Sequence, residues 1–274
     1  MNEQAEKSRR FLELHRPGAP LLLANAWDVG SARVLEQLGF EALATTSSGF
    51  AATLGRLDGS VTREEALEHS AQLAAATSLP VSADLENGFA EVPAEVAETV
   101  RRAGQAGLAG CSIEDFTGDD ADPIYDFDLA VERIAAAVKA AHEGPAPLVL
   151  TARCENHIHG RDDLQDTIRR LQAFEEAGAD VLFAPGLTRP EDLQAILAAT
   201  SRPLNVLVRP GAPSVSELAE LGVSRISVGG AFAFGALGAL VEAATELRDR
   251  GSFDFLARSR TGIEAAISAF RRPA

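Results

Sequence analysis

Hydrophobic and polar positions along the chain repeat one phrase: an amphipathic helix, often closed by glycine, then a short apolar run, then a polar tip. Apolar runs that read as buried strands occur at 20–25, 41–45, 80–84, 110–114, 148–153, 181–183, 204–208 and 225–228. Helical periodicity fills the intervals at 30–38, 63–77, 94–106, 128–142, 162–177, 191–199 and 214–221, with a last helix at 232–248. Strands alternating with helices predict a parallel sheet, and eight such units predict a closed (β/α)8 TIM barrel. An open doubly wound sheet would carry a Gly-rich phosphate fingerprint after its first strand. The sequence there is Asn25-Ala26-Trp27-Asp28-Val29-Gly30, which lacks one. The whole chain, 1–274, is therefore expected to form one barrel domain, with the amphipathic segment 253–270 as an extra C-terminal helix for oligomerisation.

Alternation along a strand puts every second side chain on one face. In the third strand Ser82, Asp84 and Glu86 share the face opposite Val81, Ala83 and Leu85. By the same parity Ser112 and Glu114 of the fourth strand, and Thr151, Arg153 and Glu155 of the fifth, point into the barrel. Active sites of such barrels lie at the carboxyl ends of the strands, so three neighbouring strands send acids and one arginine into one mouth. The second strand ends in Thr45-Thr46-Ser47-Ser48-Gly49, where hydroxyls and free N–H groups on a glycine turn offer a seat for a carboxylate or enolate oxygen. The segment Gly55–Gly59, carrying Arg56 and Asp58, follows as a loop near the mouth.

Composition narrows the chemistry. Two cysteines, Cys111 and Cys154, fall on the outward parity and have no metal-ligand spacing, so both are expected to be packing residues. Only two of the 25 basic residues are lysines, Lys7 and Lys139, and neither lies at a strand end, so a Schiff-base mechanism has no candidate. Clustered carboxylates without lysine call for a cation; oxygen ligands suit Mg2+, and Mn2+ fits equally well. The alternative, salt-bridged barrel acids with no metal, has only Arg153 as a basic partner on those strands. A formal net charge of -15 argues against nucleic-acid partners, because a phosphate backbone would be repelled. No apolar run approaches the roughly 20 residues that cross a bilayer, and the charged N-terminal segment has no signal-peptide core; a cytoplasmic protein without membrane contacts is expected.

Taken in order, Thr46-Ser47-Ser48-Gly49, Leu54-Gly55-x-x-Asp58, Asp84-x-Glu86-Asn87-Gly88-Phe89, Ile113-Glu114-Asp115 and Ala152-Arg153-x-Glu155 resemble the isocitrate lyase/phosphoenolpyruvate mutase superfamily over nearly the whole chain. The resemblance implies a barrel whose terminal helix is swapped between subunits, in a homodimer or homotetramer. It implies Mg2+ held at Asp84 with Glu86 and Glu114 assisting, Asp58 on the loop side, Arg153 contacting a carboxylate or keto oxygen, and the Ser47–Gly49 turn, with Thr46, holding the other end of the substrate. Glu86 departs from the family pattern, which usually has Asp there. Residues 116–127 lack the Cys, Lys and His of the isocitrate-cleaving loop, and the lysine and asparagine of the phosphonate enzymes are absent too. The implied activity is a Mg2+-dependent lyase of small 2-oxo or 2-hydroxy dicarboxylic acids, acting by decarboxylation or retro-aldol cleavage through a metal-stabilised enolate. Tyr125, His157 and His159 are the candidates for later protonation. Two alternatives are P–C bond chemistry on phosphonopyruvate and a barrel that binds 2-keto acids without turnover.

Overall fold

The computed structural model describes residues 3–271. Helix α1 (Glu3–Glu13) leads into β1 (Leu21–Asn25), α2 (Val29–Gln37), β2 (Leu43–Ala44), α3 (Ser47–Thr53), α4 (Arg63–Ala76), β3 (Val81–Asp84), α5 (Pro93–Gln105) and β4 (Gly110–Glu114). There follow α6 (Phe127–His142), β5 (Val149–Arg153), α7 (Leu164–Glu176), β6 (Val181–Phe183), α8 (Pro190–Ala199), β7 (Leu204–Leu207), α9 (Val215–Leu221), β8 (Arg225–Ser227), α10 (Ala231–Thr245) and α11 (Leu256–Phe270). All neighbouring strands pair in parallel and β8 closes onto β1, so the expected (β/α)8 barrel is the observed one. Local chemistry starts its helices: capping boxes at Asp28/Ser31, Thr62/Glu65 and Ser214/Glu217 tie down free N–H groups, and proline opens α5 and α8. Helix α3 replaces the glycine turn that the sequence predicts after β2.

The period-two parity holds around the barrel. Val81, Ala83, Cys111, Ile113, Leu150, Ala152 and Cys154 lie in the apolar layer between strands and helices, and both cysteines are free and buried there. The interior is graded along its axis. Its lower end is apolar, formed by Leu21, Leu23, Ala44, Val149 and Val181, and Phe11 of α1 inserts among them as a plug. Gly110 makes room for that plug, since a Cβ on it would come within 2.9 Å of Phe11 Cε1 and 2.7 Å of the Val149 carbonyl. Above that plug the inward positions turn polar, with Asn25, Ser82, Ser112, Thr151 and Asn205, and Arg225 reaches in from the start of β8.

The C-terminal elements leave apolar surface uncovered. Helix α10 is composed almost wholly of apolar and small residues, yet only Ala233 is buried; Phe234 is 51%, Leu240 62% and Val241 64% exposed. On the outer face of β1, Leu22 is 43% exposed, although an outward barrel position is normally covered by a helix. A π-helical turn, Glu246–Arg250, ends α10, and α11 carries Ile263, Ile267 and Phe270 exposed. Among the described residues no helix is long and apolar enough to cross a membrane.

Below the barrel, His15 sits buried between Phe11 and β8. Its Nδ1 lies 2.8 Å from the Phe11 carbonyl and its Nε2 3.2 Å from Arg225 Nη1, so Nδ1 carries the proton and Nε2 accepts. Burial, reinforced by the Arg225 charge, pushes the imidazole down to about 3. The unfolded chain therefore takes up a proton near pH 6.5 that the native state refuses until about 3, and stability falls as pH drops through that window. At pH 5 this one group should cost about 2 kcal/mol relative to neutral pH. Urea melts at pH 7 and pH 5 should show that His15→Gln loses less stability on acidification than the wild type by that amount; equal losses would refute the assignment.

Candidate active site

The carboxyl end of β3 is where the acidic cluster of the barrel mouth begins. Asp84 closes that strand. Its N–H donates to Thr45 Oγ1 at 2.8 Å, and its Oδ2 accepts from the Ser47 N–H at 3.2 Å and the Ser47 hydroxyl at 3.1 Å. The stretch Thr46–Gly49 is thus the first turn of α3, with Thr46 as its N-cap accepting from Gly49 N. Its free donors face a carboxylate of the protein itself. Gly49 is buried behind that turn: a Cβ would lie 2.6 Å from Thr46 Cγ2, 3.1 Å from Trp27 Cβ and 3.2 Å from Ala233 Cβ. Glycine is required there for close packing and not for a turn conformation.

Arg153, at the end of β5, gathers three carboxylates. Nη1 reaches Asp84 Oδ1 at 2.9 Å, Nη2 reaches Glu114 Oε2 at 3.0 Å and Nε reaches Glu155 Oε1 at 3.1 Å. All three partners are largely shielded from water, where such pairs are strong only if every hydrogen bond is made. Burial opposes the charge on Arg153, but Glu114, Glu155 and Asp84 outweigh it and push the guanidinium's pKa further up. One cation for so many acids leaves a deficit. Burial pushes Glu114 well above the usual carboxylate range despite Arg153. Asp115, the neighbour of Glu114 in sequence, points away from the mouth: it accepts from Glu155 N at 2.8 Å and Arg170 Nη1 at 3.1 Å, bracing β4 and β5 against α7.

Glu86 reaches the mouth by another route than strand alternation. The strand ends at Asp84, and Glu86 (φ 48°) and Phe89 (φ 57°) adopt the left-handed conformation that side chains other than glycine rarely take. Gly88 lies between them with φ 78°. Such strain persists only where the surroundings over-determine it. Here buried Arg133 of α6 donates to the carbonyls of Asn87, Ala90 and Glu91, while Gly88 N donates to the Leu85 carbonyl at 2.8 Å. The Glu86 carboxyl makes no hydrogen bond or ion pair among the described residues, and burial together with Asp84 and Asp58 pushes it up to about 8. Partial burial and Asp84 also raise Asp58, on the loop between α3 and α4.

These groups border two hollows that share part of their lining. A cavity of about 180 Å³ in the barrel mouth is lined by Thr46, Ser47, Ser48, Asp58, Asp84 and Arg153 among others. A wider vestibule of about 530 Å³ outside it takes in Glu86, Glu114, Glu155 and His159, and shares Ser47, Asp58 and Arg153. Of the three candidate proton donors only His159 borders these hollows; it stacks on Phe116 with ring centroids 3.9 Å apart. Tyr125 instead lies under Arg133, and His157 pairs with Asp162 at 3.1 Å. The cavity also contains residues that were not singled out from sequence, Asn25, Asn205, Arg225 and Ser227 from β1, β7 and β8. The same inward parity would have found them, as polar side chains on otherwise apolar strands.

Among the described residues no three His, Cys, Asp or Glu side chains are drawn tightly enough to cage a metal by themselves. Mg2+ does not need that, because it keeps several waters and takes one or two carboxylates directly. The donor set fits: Asp84 and Glu86 border a common hollow, all donors are oxygens, and the unpartnered Glu86 carboxyl marks a local shortage of positive charge.

The family model described as phosphoenolpyruvate phosphomutase matches residues 11–248. A crystal structure from Burkholderia cenocepacia J2315, provisionally assigned as a lyase/mutase, superposes with a TM-score of 0.90 at 53% identity, covering 93% of this chain and 92% of that one. An oxaloacetate decarboxylase of Bradyrhizobium sp. is 32% identical over 213 residues, 74% of this chain and 71% of its own length. Phosphonopyruvate hydrolase, solved in complex with oxalate and Mg2+, superposes with a TM-score of 0.79 at 25% identity, covering 90% of this chain and 88% of that one. The chain belongs to the phosphoenolpyruvate phosphomutase family, within the isocitrate lyase/phosphoenolpyruvate mutase superfamily of lyases and mutases.

Proposed function

We propose that the protein is a Mg2+-dependent lyase of small 2-oxo or 2-hydroxy dicarboxylic acids that cleaves a carbon–carbon bond, by decarboxylation or by retro-aldol chemistry. The observation that carries this reading is the charge imbalance at the mouth: Asp58, Asp84, Glu86 and Glu114 converge beside a small hydroxyl-lined cavity with Arg153 as their one shared cation. Mg2+, or Mn2+, held by Asp84 with Glu86 and Glu114 assisting, would polarise the keto and carboxylate oxygens of a bound acid and offset the negative charge that grows as the bond breaks. The chain's own groups do the rest. Ser47 fixes the Asp84 carboxylate through its N–H and hydroxyl, and Arg153 holds Asp84 and Glu114 in register from the other side. Thr46 and Ser48 present hydroxyls to the cavity wall, 3.2 Å apart, for a substrate oxygen. His159 is our candidate for returning a proton to the product carbon, with Glu155 at 3.8 Å to support its charge. Decarboxylation suits this site, because bond cleavage then needs no general acid and residues 116–127 supply no Cys, Lys or His.

The oxaloacetate decarboxylase relative and the Mg2+–oxalate complex of phosphonopyruvate hydrolase support this substrate class. Phosphonopyruvate hydrolysis is the second reading, favoured by the same structural neighbour. We also propose that the chain assembles with itself as a dimer or tetramer, α10 and α11 of one copy covering the bare β1 face of another; Leu22 and the stripe Phe234, Leu237, Val241 motivate this.

Two outcomes are expected. With Mg2+, the protein should convert oxaloacetate or a related diacid to pyruvate or another keto acid; chelation should abolish turnover, and Asp84→Ala should lower kcat/KM by about 10³-fold. Phosphate release from phosphonopyruvate alone would select the second reading, and tight keto-acid binding without any product would select a binding protein. In light scattering, the wild type should exceed the monomer mass, and Val241→Glu should shift it toward monomer; a monomeric wild type refutes self-assembly.

A further inference from the structure

Arg225, at the start of β8, is the second guanidinium in the barrel and is wired differently from Arg153. It is 3% exposed and borders the deep end of the cavity whose mouth holds Ser47 and Asp84. Its Nε donates to Asn205 Oδ1 at 2.9 Å, and its Nη1 to Thr151 Oγ1 at 3.1 Å and His15 Nε2 at 3.2 Å. Every one of those acceptors is neutral. Asn205 is itself held by its Nδ2, which donates to Ser227 Oγ at 2.9 Å, so the amide oxygen is fixed toward the arginine. No carboxylate pairs with Arg225 among the described residues, and no hydrogen bond engages its Nη2. Burial and Arg153 push its pKa down to about 9, which leaves it charged at neutral pH. A buried, uncompensated cation is unfavourable in a protein interior and gains from any anion that reaches it. Arg153 has three carboxylates and Arg225 has none, so an anion entering the cavity displaces a protein partner at the first and meets a free charge at the second.

We infer that Arg225, oriented by Asn205, is the anchor for a second carboxylate of the substrate, and so selects diacids over monoacids. This rests on the site proposed above as the acid-binding site. A planar guanidinium with an unused nitrogen suits a carboxylate better than a point charge would. Anchoring one end at β8 leaves the other end of the acid toward Asp84 and Ser47.

The test is a binding comparison, independent of turnover. Malate and lactate, which differ by one carboxylate, are titrated calorimetrically into the Mg2+-loaded wild type, Arg225→Met and Arg225→Lys. Wild type should prefer malate. Arg225→Met should weaken malate roughly 30-fold or more while lactate changes little. Should Arg225→Met fail to fold, Arg225→Lys carries the test, because lysine keeps the charge but loses the fork; malate should weaken by roughly tenfold and lactate hardly at all. Unchanged malate binding, an equal loss for both acids, or no wild-type preference overturns the inference. A wild type that turns over no acid, yet prefers malate in an Arg225-dependent way, refutes the lyase reading and keeps this one. Turnover of a diacid with the preference intact in Arg225→Met refutes this one alone.

Discussion

The mouth of the barrel is organised by a single guanidinium. Arg153 ties the ends of β3 and β4 and the segment after β5 together through Asp84, Glu114 and Glu155, and each of its three nitrogens is committed. Without it those carboxylates would repel one another across a few ångströms of poorly solvated space, where Coulomb energies are several times larger than in water. The arrangement is therefore rigid and still short of positive charge. Rigidity comes from the fork geometry; the shortage shows in Glu86 and Glu114, whose carboxyls burial and neighbouring acids push upward. A site held open but under-neutralised is poised for a cation and for a substrate that brings its own oxygens to it.

The barrel frame supports this with a division of labour along its axis. Apolar residues and the Phe11 plug close the lower end, so the carboxylates gather at the carboxyl ends of the strands and only Arg225 brings charge deeper into the barrel. Behind the mouth, Asp115, Arg170 and Asp166 form a second ionic network, which locks α7 to β4 and β5 without touching the cavity. Burial pushes Asp115 up to about 6 despite those donors, and its contacts with Glu155 N and Arg170 Nη1 make it a brace.

Much of this was readable in the chain. Period-two alternation placed Asp84, Glu114 and Arg153 inward and both cysteines outward, because parallel strands fully packed by helices leave no other register. What escaped was set by local backbone detail. The Thr46–Gly49 stretch has the hydroxyl of an N-cap but no acidic partner three residues on, so a short helix looked like a turn. The bend at Glu86 left no trace either, since a glutamate gives no hint of a positive φ. Asn25, Asn205 and Arg225 lie on strands whose acidic content is nil, so a pattern of carboxylates does not lead to them.

The bend at Glu86 bears on which side chains that position accepts. Left-handed backbone is tolerated better by aspartate and asparagine, whose short polar arms bond locally, than by glutamate. Here the longer acid occupies the awkward conformation, clamped by Arg133 through three carbonyls of the following loop. An extra methylene on a backward-turned residue can recover the reach that the turn takes away. Shortening this arm to aspartate would ease the backbone yet shorten the reach of its carboxylate, so comfort of the chain and span of the side chain pull in opposite directions at this one position.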